Sequence, residues 1–342
     1  MATLKSWTIK ESDFPQTGDD LSKIKFLLRY AILAPSSWNA QPWLFKIHQR
    51  TIQLFHDTER LQGHRDPQGR ENIISCGAAL SNLEIALHHF GFQTQTEIMP
   101  PNSEENLLAQ VTWTAGEASA KENKLFRAIL QRHSYRKPFQ EQEVPAEVIE
   151  HMQSAAQGGG CEFIPITCNS TQVALAGMIS EGDKDLGADV QTRKEYAAWM
   201  RSSGLSGDGV PGYALADTNP VEGVLAPLTH RVFNYTDEFA RSDRALTCAA
   251  PLLGVLTTPQ DTPKDWVDCG RALERLLLSA AAQGVQASFL NQTVVVPELR
   301  QRLQRLLGLT DWPQIVLRFG YPTDEPVATP RRKLDDVLLI AP

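Results

Sequence analysis

A chain of 342 residues with 42% hydrophobic and 21% charged side chains carries enough apolar mass for two modules or one large α/β body. That excludes a miniature stapled scaffold and a globally disordered polymer. The 33 basic and 40 acidic side chains, net −7, argue against nucleic-acid binding through a basic field and leave small-molecule chemistry as the better expectation.

No stretch approaches ~18 consecutive apolar residues. The opening MATLKSWTIKESDF has no apolar segment of the secretory kind. Neither a membrane span nor a leader is therefore expected, and the expected compartment is the cytoplasm.

In chain order, the apolar spacing predicts a helix over about Leu21–Leu33, followed by Ala34-Pro35-Ser36-Ser37-Trp38-Asn39-Ala40-Gln41-Pro42-Trp43. Two hydroxyls, two carboxamides and backbone N–H groups on a proline-stiffened turn suit the edge of a flat, heteroatom-rich ligand. The same residues also suit a capped turn that satisfies its own backbone. A hairpin is predicted over Trp43–Ile47 and Ile52–His56, then a helix around Cys76–Gly91, then strands near Gln93–Ile98 and Gln110–Thr114.

A second half begins near Lys121, with helices at about 122–131 and 146–156 and strands at Glu162–Ile166 and Leu252–Thr257. A further helix starts near Cys269, a strand covers Ile315–Phe319, and the apolar run Val337–Ile340 closes the chain. After the first of these helices comes Arg132-His133-Ser134-Tyr135-Arg136. Its guanidiniums, four apart around a hydroxyl, match phosphate oxygens, although arginines late in a helix also simply complement its dipole. A third cationic group, Arg331-Arg332-Lys333, reads by itself as a solvated surface run.

The five cysteines form no C-x-x-C pair and read as buried small hydrophobes, and adjacent His88 and His89 lack the spacing of paired helix ligands. No metal site is expected.

Self-comparison finds one repeat. Cys76-Gly77-Ala78-Ala79-Leu80, continuing to Gly91 and Gln93, realigns without gaps at an offset of 193 with Cys269-Gly270-Arg271-Ala272-Leu273, continuing to Gly284 and Gln286. Two related α/β halves follow, residues 1–118 and 119–342. The second carries an insertion over about 183–234, rich in glycine and aromatics, that reads as a lid or as surface decoration.

The segments RHSYR, APSSWNAQPW, CGRALERLLLSAAAQGV, RFGYP and PRRKLDDVL together resemble the nitroreductase superfamily of FMN-dependent oxidoreductases, over most of the chain. The resemblance implies an α+β, nitroreductase-like fold. Ordinary members are homodimers whose chains each supply both the arginine motif and the A-P-S-x-x-N-x-Q-P-W motif. Here the first half keeps only the latter and the second half only the former, the arrangement of the Acg-like branch, a fused dimer in one polypeptide. That implies a tandem pseudo-dimer, monomeric in solution, with one composite FMN site.

Carried over by resemblance, Arg132, Ser134 and Arg136 face the phosphate and ribityl side, with Arg331, Arg332 or Lys333 as the second basic contribution. Pro35, Ser36, Ser37, Asn39 and Gln41 form the loop along the flavin. Arg241 and Arg244 fall where polar or basic contacts to the ring are expected, and Leu290 and Asn291 near its reactive edge. Tyr196, Trp199, Met200 and Tyr213 of the insertion would cap the ring. The implied activity is NAD(P)H-dependent reduction of a small nitro or quinone-type acceptor. The alternatives are an FMN-sequestering protein and an interaction protein on a degenerate scaffold.

Overall fold

The computed structural model describes residues 2–120, 122–203, 205–214 and 235–339. Asp19 accepts a hydrogen bond from the Ser22 N–H and so caps α1 (Asp20–Ala31), whose Ile24, Leu27, Leu28 and Ala31 are buried. Next come the hairpin β1 (Trp43–His48) and β2 (Thr51–His56), α2 (Arg70–His89), β3 (Phe92–Ile98) and β4 (Leu107–Ala115). The second part continues with α3 (Asn123–Ala128), α4 (Ala146–Ala156), β5 (Glu162–Ile166), α5 (Asn169–Ala188), α6 (Val190–Trp199), β6 (Met200–Arg201) and β7 (Val210–Pro211). After residue 234 follow α7 (Thr236–Cys248), β8 (Leu252–Thr258), α8 (Pro263–Ala281), β9 (Gln286–Phe289), α9 (Gln292–Val295), α10 (Pro297–Leu306), β10 (Trp312–Gly320) and β11 (Leu338–Leu339).

The strands form two main sheets, ordered β11-β1-β2-β4-β3 and β5-β8-β10-β9, giving the mixed helix-and-sheet architecture expected from the resemblance. The first sheet is antiparallel except for β11, the chain's last strand, which returns to pair parallel with β1. The second is antiparallel around β8, all seven of whose residues are buried.

Between the sheets α2 packs against α8, and their contact explains why both carry a glycine in mid-helix. A Cβ added at Gly77 would lie 2.2 Å from the Val267 carbonyl oxygen, and one at Gly270 would lie 2.0 Å from that of Ile74. Gly77 and Gly270, like Ile74 and Val267, stand 193 positions apart. The contact is therefore reciprocal, as across a two-fold axis. The backbones approach too closely for any side chain, which is worth the helix-propensity cost of glycine. Both helices then bury most of their length, α8 starting from a Thr262–Asp265 capping box with Pro263 in its first turn.

The insertion expected from residue 183 begins inside α5, and its described part holds the end of α5, α6 and the β6–β7 pair. Its portion at 215–234, like Ile340 of the last apolar run, lies outside the described residues. No described helix is long and apolar enough to cross a membrane. Among the described residues no group of three or more His, Cys, Asp or Glu could hold a metal. Cys76, Cys161 and Cys269 are buried as expected, whereas Cys168 and Cys248 are exposed, which corrects the reading of all five as core residues.

Candidate functional site

One cavity of about 790 Å³ opens between the segment after α1, the segment after α3, and the helices α5 and α7. This size suits a cofactor.

The front wall is the turn after α1. Trp38, Asn39 and Gln41 all hold left-handed backbone (φ 47°, 55° and 53°), a costly arrangement for residues with side chains. Its compensation is a dense set of polar contacts. Ser36 Oγ accepts from the Gln41 N–H at 2.9 Å, the Ser37 N–H donates to Ser75 Oγ at 3.3 Å, and Ser37 Oγ donates to Glu71 Oε2 at 3.0 Å. Asn39 Nδ2 donates to the carbonyls of Gly209 and Pro330, both at 3.0 Å. Gln41 Nε2 donates to Gly207 O at 2.8 Å, while its Oε1 accepts the Arg332 N–H at 2.8 Å. The two carboxamides thus fasten the insertion and the C-terminal segment to this turn.

The back wall is the arginine segment. The Tyr135 N–H donates to Ala287 O at 2.8 Å, laying Ser134–Arg136 along β9. Arg132 is 4% exposed and Arg331 2%, and both donate to the Leu33 carbonyl, at 3.1 and 2.9 Å. The Nε of each has no hydrogen-bond partner. Burial, with Arg132 and Arg331 nearby, pushes His133 down to about 3, so its ring is neutral. Arg136 donates to Ala214 O at 3.4 Å.

Pro35, Ser36, Ser37 and Asn39 line the cavity from the front, and Arg132, Ser134 and Arg136 from the back. Arg331, Leu290 and Asn291 line it as well. The remaining expected positions do not. Gln41 and Arg332 brace each other behind the wall, Arg332 also pairing with Asp57 at 3.2 Å. Lys333 is exposed. Arg241 and Arg244 lie on the exposed side of α7, because helical spacing turns Ser242, Asp243 and Leu246 inward instead. Of the three aromatics and one methionine expected to cap the ring, Tyr196 alone lines the cavity, its ring 5.2 Å from that of Trp38. Trp199 lies under the guanidiniums of Arg60 and Arg201, and Tyr213 is exposed.

Several lining groups were missed. Glu71 is a buried carboxylate that accepts from Ser37, Asn291 Nδ2 (2.8 Å) and Arg65. Burial would raise it, but Arg65 and Arg70 outweigh that and hold it at about 2. Arg318 donates to Lys137 O at 3.1 Å and Tyr135 O at 3.2 Å, with its guanidinium over the Phe139 ring. A lone cation inside the apolar run Ile315–Phe319 was the available signal, since a buried charge must be paired or used. Also on the wall, Gln292 Nε2 donates to both Asp183 Oδ1 (2.8 Å) and Asp243 Oδ2 (2.7 Å). Burial and the adjacent Asp243 push Asp183 up to about 8, whereas burial raises Asp243 against the pull of Arg318. The cavity wall therefore carries a cationic group and, beside Gln292, an acidic pair.

Residues 129–321, more than half the chain, match the profile described as Nitroreductase family. Among curated proteins, "Putative NAD(P)H nitroreductase acg" of Mycobacterium tuberculosis (strain ATCC 25618 / H37Rv) is 26% identical over 330 residues, covering 94% of this chain and 97% of that protein. "Putative NAD(P)H nitroreductase Rv3131" of the same strain is 26% identical over 323 residues, 93% of this chain and 92% of that one. A solved structure of the FMN-dependent nitroreductase NfnB from Mycobacterium smegmatis, in complex with NADPH, aligns at TM-score 0.41 and 16% identity over 64% of this chain and 99% of that one. With residues 129–321 matching that family's profile, the chain belongs to the nitroreductase family.

Proposed function

We propose that the protein is an FMN-dependent oxidoreductase that uses NAD(P)H to reduce a small electron-poor acceptor of nitro or quinone type. On this reading one composite site lies between two fused halves, residues 1–118 and 119–342, and the chain is monomeric. The observation that carries it is a single cavity lined from the front by Pro35–Asn39 and from the back by Arg132, Ser134 and Arg136. The reciprocal Gly77–Gly270 contact supports the fusion.

The residues present fit FMN. Two buried guanidiniums that line the cavity, Arg132 and Arg331, suit a phosphate, and the cavity volume suits a tricyclic ring with its ribityl chain. When bound, FMN supplies the two-electron redox chemistry. The chain supplies the rest. Arg132, Arg136 and Arg331 offset the phosphate charge, and Ser36 and Ser37 keep the front turn in shape. Tyr196 with Trp38 shields the cavity from water, and Arg318 places positive charge at its wall. Asp183, with its carboxyl raised to about 8, holds a proton beside Asp243, on the oxygen Oδ2 that Gln292 does not reach.

A specific observation favours sequestration as the second reading. The insertion is latched over the front turn by Asn39, Gln41 and the Arg60–Asp208 ion pair. Anaerobic addition of NADPH or NADH to the flavin-loaded protein separates the two readings. Prompt bleaching of the flavin absorbance is expected of an enzyme. Flavin that dithionite bleaches and neither nucleotide does would support sequestration, and failure to bind FMN at all would overturn both.

A further inference from the structure

Behind the arginine wall lies a carboxylate that the proposed chemistry leaves unused. Glu274 of α8 is 0% exposed and stands 3.6 Å from Arg132 Nε. Neither of its oxygens has a donor in hydrogen-bonding geometry, although Arg132, Asn82 of α2 and Arg331 all lie near enough to favour its charge. Other side chains here do not compete for the role. His133 is held neutral by burial and the two arginines, and although burial with Arg132 nearby draws Arg331 down to about 9, it is still mostly protonated at pH 8.

The charge count is unusual. Two buried cations share one buried anion, and the Nε of each cation still lacks an acceptor. A phosphate arriving at the cavity face of Arg132 and Arg331 would add a second anion to the same pair. Two like charges around one pair of cations raise the affinity of the weaker acid for a proton. Burial already raises Glu274 to about 7, so little more is required.

We infer that Glu274 is a proton-linked counter-ion to the Arg132–Arg331 pair, taking up one proton from solvent as a phosphate-bearing ligand binds in front of it. Glu274 thereby positions Arg132 in the ligand-free protein and yields its share of the positive charge when the ligand arrives. The only bond made is between that proton and a Glu274 oxygen. The inference rests on the FMN reading above.

The test is calorimetric titration of the full flavin-free chain with FMN and, separately, with riboflavin, which lacks the phosphate. It is run at about pH 8, where a phosphate monoester of second pKa near 6 is already a dianion. Two buffers of different ionisation heat give the protons exchanged. FMN should draw in about 0.5 to 1 proton, and its affinity should fall by up to about tenfold per pH unit above neutrality. Riboflavin should draw in none beyond what Asp183 exchanges with both ligands. Glu274→Gln should bind FMN with no more uptake than riboflavin shows and with the same pH profile as riboflavin. FMN binding with equal heats in both buffers, or equal uptake with riboflavin, overturns the inference while leaving the flavin reading intact. No binding of FMN overturns both. Should Glu274→Gln fail to fold, the comparison of FMN with riboflavin on the unaltered chain still decides.

Discussion

The turn Pro35–Trp43 and the stretch Gln157–Cys161 each follow a helix and precede a strand, and each packs on one of the two central helices. The Ser37 N–H meets Ser75 of α2, while the Cβ position of Gly159 abuts Asp268 of α8, again 193 residues on. One turn carries two serines and holds Trp38, Asn39 and Gln41 in strained left-handed backbone, and the other is Gly158-Gly159-Gly160 with positive φ throughout. Between them the Gly77–Gly270 seam is reciprocal to within a few tenths of an ångström. Packing between two backbones tolerates no change on either side, whereas a turn that lines no cavity is released from the need for side chains. Near-symmetry in the seam and asymmetry at its two ends are what the proposed fused pair with one working site would require.

The seam offers the severest way to break that comparison. Gly77→Ala and Gly270→Ala should each cost about 3 kcal/mol or more, because no rotamer change relieves a clash with backbone. Denaturant unfolding would show the two costs to be similar if the contact is reciprocal. Gly177→Ala in α5 meets nothing within 4 Å and should instead be neutral or stabilise by up to about 1 kcal/mol.

At the asymmetric end, Arg136→Ala should weaken FMN binding by about 10- to 100-fold, the loss of a charge-assisted contact worth ~1.5–3 kcal/mol. Fluorescence titration of the flavin measures it. Lys333→Ala and Arg244→Ala, both exposed, should leave it unchanged, and equal losses from all three would return the basic contribution to the outer surface.

The acidic pair gives a pH signature. Asp183 binds its proton more tightly folded (about 8) than unfolded (3.8), so stability present at low pH is lost as pH rises between those values. Asp183→Asn mimics the protonated form. Relative to the parent it should gain on the order of 2 kcal/mol more at pH 8 than at pH 5, read from thermal melts. A gain independent of pH would mean that Asp183 does not titrate in this range.

The smallest effect belongs to the front turn. Ser37→Ala removes one hydrogen bond to the buried Glu71 and should cost about 1–2 kcal/mol. No change in unfolding midpoint would show that Arg65 and Asn291 satisfy Glu71 unaided.

The hairpin Trp43–His56, the helix 146–156 and the strand at Glu162–Ile166 were legible in the sequence because their side chains alternate or recur with one period over their own length. The paired glycines were legible too, through the repeat that contains them. The motifs near Ser36 and Arg132 could be read as chemistry, since their residue types are costly to place without use.

Which members of those motifs face the cavity was decided only by tertiary structure. Gln41 and Arg332 bind each other, α7 turns Asp243 inward and Arg244 outward, and Glu71, Arg318 and Asp183 come from three distant elements. Local sequence determines periodicity and conformational preference, which act between neighbours. Whether a charge is buried, and beside what, depends on contacts across more than two hundred residues, such as Asn291 with Glu71, that no local pattern encodes.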